Sequence, residues 1–169
     1  MIHPRAGHGV SWARRDTYRS TDVTQPRAES SMHGEALIAA SPQQVYAHLV
    51  DVARWPDWVP EVRATRVPGG IRLGCEFEVE MYGVRLEAVV TEYEPDTRFG
   101  WIGSSVDLSI YQAWILVPVA PGTHVIAKKV ERELTTVLMR NSPAEEIYYA
   151  HQDTLLRLKQ RAEGVEPAA

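Results

Sequence analysis

The chain has one cysteine, Cys75, which excludes an internal disulfide, and no second Cys or His stands near it at metal-ligand spacing. A reduced, cytoplasmic setting is the simplest reading. Basic charge is also short: 18 Lys and Arg against 22 Asp and Glu leave a formal charge of -4. No domain-wide positive field is therefore available for nucleic acid or an anionic membrane as primary partner. No apolar run approaches the roughly 18 residues that span a bilayer. The segment from Met1 to Asp22 holds Arg5, Arg14, Arg15 and Arg19 but lacks the apolar stretch of a secretory leader. The chain carries no G-x-S-x-G elbow, H-E-x-x-H helix, P-loop or G-x-G-x-x-G fingerprint. Hydrolase, metalloprotease, NTPase and dinucleotide oxidoreductase readings thus have no support, and neither a cofactor nor a metal is implied.

What is present fits one domain: 169 residues, 44% of them hydrophobic, are enough to bury a sizeable core. Residues 1–31 are polar, with neither a period of 2 nor one of 3.6, and are expected to form a flexible extension whose removal barely changes stability. The ordered domain is expected over residues 32–164, followed by a tail at 165–169. Glu35 to Ala39 reads as a first strand that hands over to a helix at Ser41-Pro42, an N-cap residue with proline at the first helical position. Val45, His48 and Leu49 share one face of that helix, which runs to about Asp51. Pro56 and Pro60 then restrict the next segment to a short second helix.

From Glu61 the pattern turns to strands, over 61–67, 75–82, 84–93, 98–103, 108–119 and 123–134, with turn residues between them. Phe77, Val79 and Met81 alternate with Glu76, Glu78 and Glu80, as in a sheet with one wet face. Those glutamates recur about 7 Å apart, which suits a solvated row better than a cation cage. Ser142-Pro143-Ala144-Glu145 is a capping box, after which Ile147, His151, Thr154, Leu155, Leu158 and Ala162 fall on one helical face until Gly164.

The run from Ala40-Ser41-Pro42-Gln43-Gln44-Val45-Tyr46 through Asp51 to Trp55-Pro56-Asp57-Trp58 resembles the opening of the polyketide cyclase/dehydrase and lipid-transport family of the START-like (SRPBCC) superfamily. Further matches are Val90 to Pro95 before Trp101, Trp114 to Pro118 before Gly122-Thr123, and Leu155 to Lys159. The resemblance covers residues 32–163. It implies an α+β helix-grip (START-like, Bet v 1-like) fold: a curved antiparallel sheet around a long C-terminal helix, with two short helices after the first strand. It also implies an internal cavity for one hydrophobic or aromatic small molecule such as a lipid, quinone or polyketide. Two other functions are found among such proteins: a polyketide aromatase/cyclase that shuttles protons in the same cavity, and a self-resistance protein that sequesters or is cleaved by a reactive product such as an enediyne. The motifs belong to the scaffold and leave ligand, activity and oligomeric state open.

Candidate ligand-binding residues are Trp55, Trp58, Met81, Trp101, Gln112, Trp114, Tyr148 and His151. The indoles suit the wall of a site for a planar ligand, with Trp55 and Trp58 expected at its mouth, and suit an ordinary core equally well. His151 lies on the apolar face of the last helix, which the resemblance makes the cavity floor. There it either reads a ligand carbonyl, acts as acid or base, or is a core histidine satisfied by the backbone. Gln112 faces inward if Trp114 does, by period 2; in the opposite register Tyr111, Ala113 and Ile115 face inward instead. Tyr148 and Arg98 complete the candidate proton shuttles.

Overall fold

The computed structural model describes residues 28–133 and 144–165. Strand β1 (Ala28–Ile38) leads into helix α1 (Pro42–Val50) and a short 3-10 helix (Val52–Asp57). Then follow β2 (Val62–Arg66), β3 (Glu76–Met81), β4 (Val84–Glu94), β5 (Arg98–Ser104), β6 (Leu108–Val119), β7 (Gly122–Glu133) and helix α2 (Ala144–Ala162). The sheet order is β1-β7-β6-β5-β4-β3-β2, antiparallel at every pairing. The expected meander is present, and the first strand closes it by pairing with the last. This is the helix-grip architecture.

Local chemistry sets the elements. The Ser41 side chain accepts from the Gln44 backbone N–H, while the Gln44 side chain accepts from the Ser41 backbone N–H, a reciprocal box that starts α1. The α1 residues that bury are Val45, Tyr46 and Leu49. His48 stays half-buried, because Tyr46 packs edge-on against Tyr93 and Phe99 and takes the inner position. Pro56 confines the next segment to a single 3-10 helix. β1 begins at Ala28, four residues before the apolar pattern: Glu29, Ser30 and Ser31 pair with Arg132, Glu131 and Val130 of β7. A backbone ladder needs no apolar period. Residues 1–27 lie outside the described residues, as do Ser142 and Pro143 of the expected capping box.

The inner face of the sheet is legible in the register. Met32, Lys129, Gln112, Trp101 and Val90 form one row across β1, β7, β6, β5 and β4, and Gly34, Ala127, Trp114, Phe99 and Tyr93 form the next. The outer face is polar over β2 and β3, with Arg66 paired to Glu78 and Arg63 near Glu80, while β5 exposes Ile102 on that side.

Helix α2 lies against β1 with His151, Thr154, Leu155 and Leu158 buried and Leu156 exposed. Gly34 permits this approach. A Cβ at that position would collide with Leu155 Cδ1 and stand 3.2 Å from Gln152 Nε2. Gly34→Ala should therefore force Leu155 from its place and cost about 1 to 3 kcal/mol, the usual scale of overpacking. Denaturant melts test this, and an unchanged midpoint would show that α2 adjusts freely.

Candidate functional site

Two zones share the space between the sheet and α2. The first is aromatic. Trp55 packs against Phe77, Trp101, Phe99 and Trp114 with centroid distances of 5.8, 5.7, 6.3 and 6.3 Å, and Phe99 stacks on Trp114 at 5.9 Å. The Trp55 indole N–H donates to the Leu49 carbonyl at 3.0 Å, so this ring is pinned inside the core instead of standing at a mouth. Trp101 is buried beside it, but its N–H has no acceptor among the described residues.

The second zone is ionic, and the sequence patterns did not single out its main members. Lys129 on β7 is fully buried. Its ammonium group lies 2.8 Å from Glu131 and 3.3 Å from Glu61, and donates to the Tyr82 hydroxyl at 2.7 Å. That hydroxyl donates to Glu131 at 3.0 Å, and the Thr154 hydroxyl of α2 donates to Glu61 at 2.9 Å. Tyr82 is delivered by the β3–β4 hairpin, where Tyr82 (φ 53) and Gly83 (φ 73) occupy the two left-handed positions of the turn. An aromatic residue at positive φ carries a backbone cost, offset here by the bonds its hydroxyl makes. Burial alone would push the Lys129 pKa down; Tyr82, Glu61 and Glu131 outweigh it and hold the pKa above the ordinary lysine value. Burial likewise pushes the Tyr82 phenol upward, despite the opposing Lys129 charge.

His151 faces this zone from α2. It is 1% exposed, and among the described residues the Ala127 carbonyl is the one acceptor beside the ring, without the geometry of a well-formed hydrogen bond. Burial, followed by the Lys129 charge, lowers its pKa to about 4. The ring is therefore neutral at pH 7, and at least one of its two nitrogens is left without a partner among the described residues.

Of the other candidates, Gln112 faces inward with Trp114, directly across from Lys129 in the β6–β7 register. Met81 is buried at the end of β3, paired across to Val62 and Val84. Arg98 is a correction: Phe99 and Trp101 take the inner positions of β5, so Arg98 points to the outer face, 3.5 Å from Glu92, which also accepts from Tyr111 at 2.6 Å. Arg98 cannot reach His151 through the sheet. The Tyr148 side chain lies outside the described residues.

Trp58 stands apart, with no ring contact to the other indoles among the described residues. It lines a groove of about 270 Å³ with Asp57 and the α2 end residues Arg157, Gln160, Arg161, Gly164 and Val165.

A family model described as polyketide cyclase/dehydrase and lipid transport matches residues 29–163. No curated protein matches the sequence. Among solved structures, a hypothetical protein from Helicobacter pylori is similar at 18% identity, covering 95% of this chain and 99% of that one, with a TM-score of 0.63. A Thermus thermophilus protein is 19% identical over 80% of this chain and 98% of its own, with a TM-score of 0.64. A di-domain ARO/CYC from the BE-7585A biosynthetic pathway is 18% identical, with 82% of this chain and 51% of that one covered and a TM-score of 0.61. This chain thus spans about half of the di-domain protein. At such identities the likeness is one of fold.

Proposed function

That the chain belongs to the polyketide cyclase/dehydrase and lipid transport family is the premise from which we propose its function. It binds one uncharged, mainly apolar aromatic molecule between the sheet and α2, and His151 reads a hydrogen-bonding group on that molecule. The observation that carries this reading is a buried histidine of which at least one ring nitrogen finds no partner among the described residues, the Ala127 carbonyl being the one acceptor beside the ring. Buried polar groups are nearly always paired, and each left unpaired costs about 1 to 3 kcal/mol. A ligand hydroxyl or carbonyl supplies the missing partner. The neighbouring Trp101, Trp114, Gln112 and Met81 offer aromatic, amide and thioether surface to the rest of the molecule.

Charge selects the ligand class. The ionic zone contains one ammonium and two carboxylate groups, Lys129 against Glu61 and Glu131, and a neutral His151. A ligand carboxylate would meet net negative charge with little water to screen it, whereas an uncharged phenol or ketone meets none.

A proton-shuttling cyclase would use the same ring. General-base efficiency is greatest when the pKa lies near the working pH. A ring titrating near 4 is unprotonated at pH 7 but accepts a proton poorly, which favours binding over catalysis.

Titrating 2-naphthol into a Trp58→Phe variant, so that only interior and N-terminal indoles report, should quench or shift tryptophan fluorescence. 2-Naphthoate should bind more weakly. His151→Ala should reduce naphthol affinity by about 0.5 to 1.5 kcal/mol, the value of one neutral hydrogen bond. Equal binding of both probes, or an unaltered affinity in His151→Ala, would refute this assignment. A fall in turnover of about 10² to 10⁴ on a poly-β-ketone in the same variant would establish the cyclase instead.

A further inference from the structure

We infer, resting on the interior ligand site proposed above, that Gln112 sets the specificity of that site and selects an uncharged aromatic carboxamide or lactam. Such a group carries a hydrogen-bond acceptor and a donor side by side, which is what the Gln112 amide lacks.

Gln112 stands in the inward row between Lys129 on β7 and Trp101 on β5. It is 6% exposed, and its side chain makes no hydrogen bond among the described residues. Neither neighbour supplies one. The Lys129 ammonium has three N–H donors, and Glu61, Glu131 and the Tyr82 hydroxyl take all three. The Trp101 N–H has no acceptor among the described residues, so it does not reach the Gln112 carbonyl across the β5–β6 pairing. Both ends of the amide are therefore open, and this holds whichever end is taken as the carbonyl. Access separates the three residues as well. The Trp101 N–H is sealed within the protein and Lys129 is fully buried, whereas neither amide atom of Gln112 is sealed in that way.

Packing alone does not call for an amide here. Ile110, Trp114 and Leu116 on the same face of β6 are apolar, and an apolar residue of similar size would fill the position without burying unpaired donors and acceptors. The missing partners fit a ligand of one kind. A planar amide presents its N–H and its C=O side by side. A single hydroxyl or ketone oxygen pairs with one end and leaves the other bare. A carboxamide or lactam presents the complementary acceptor and donor in one plane and pairs with both, as a glutamine side chain does with adenine. A site built to hydrogen-bond such a group rejects an analogue that lacks it. Charge is excluded for the reason already given, since Glu61 and Glu131 neutralise Lys129 beside Gln112.

The test titrates the full chain with 2-naphthamide and with 2-acetylnaphthalene, which has nearly the same shape and keeps the carbonyl but carries a methyl group in place of the NH₂. The two probes differ in hydration, so the quantity to compare is the ratio of their Kd values in wild type and in Gln112→Met, a variant close in volume and without a strong hydrogen-bonding group. That ratio should move against the amide by about ten- to a hundredfold in Gln112→Met, the cost of leaving a buried donor unpaired. A second measurement needs no variant: the Gln112 side-chain NH₂ signals in ¹H–¹⁵N NMR, assigned by through-bond correlation, should move saturably with 2-naphthamide. An equal ratio in both proteins, or NH₂ signals that stay in place while 2-naphthamide binds, overturns the role of Gln112. The interior site itself survives that result if 2-naphthol still binds in a His151-dependent way. If 2-naphthol and both probes all fail to bind, the interior site is refuted and the role of Gln112 with it.

Discussion

Lys129→Met should destabilise the protein by about 3 to 5 kcal/mol at pH 7, measured by urea unfolding. The Lys129 ammonium, fully buried, is the cation between Glu61 and Glu131. Removing it strands two carboxylates in a space from which water is largely excluded, and breaking a buried ion pair from one side costs this much because a charge remains without compensation. A second substitution separates that cause from lost packing. Lys129→Met combined with Glu131→Gln removes one stranded charge and should recover a substantial part of the loss. If the double variant is less stable than the single, the cost lies in shape and not in charge. Tyr82→Phe should be milder, since Lys129 keeps both carboxylates when the hydroxyl is lost.

Acidification should remove a further contribution on the order of 3 kcal/mol that depends on His151. The folded ring titrates near 4, against an ordinary value of 6.5. As pH falls below about 6.5 the unfolded chain takes up a proton at this ring and the folded chain does not. Stability therefore declines by up to about 1.4 kcal/mol per pH unit until the folded pKa is reached. The contribution is fully present above pH 6.5 and lost as pH falls toward 4. His151→Gln cannot titrate, so the stability difference between wild type and His151→Gln should shrink or invert over that interval. Urea melts of both proteins at pH 7, 5.5 and 4 measure it. Parallel curves would mean that the ring is protonated as easily in the fold as in the unfolded chain, and thus that it is not secluded.

Local patterns carried most of the architecture. The Ser41-Pro42 cap, the Pro56 interruption, the alternation of Phe77, Val79 and Met81, and the placing of His151, Leu155 and Leu158 on one α2 face all depend on neighbours within a few residues. Backbone geometry converts such spacing directly into a cap or a face. The register of β6 was undetermined because Ile110, Trp114 and Leu116 on one side and Tyr111, Ala113 and Ile115 on the other are nearly equally apolar. Pairing with β5 and β7 resolves it and turns Gln112 inward. On β7, Val125 and Ala127 predict by period 2 that Lys129 and Glu131 share their face, but Ile126 and Val130 argue as strongly for the opposite one. A buried lysine is tolerable only with compensating groups. Those groups come from Glu61 and Tyr82, 68 and 47 positions away in the chain, and the cluster is completed by Thr154 on α2. The sequence by itself determined the elements and the buried faces of β3 and α2, because these follow from spacing along one segment, whereas the faces of β6 and β7 came from strand pairing. The tertiary structure alone decided that Lys129, Glu61, Glu131, Tyr82 and His151 meet, because their stability depends on partners that only the closed sheet and the docked helix bring within hydrogen-bonding distance.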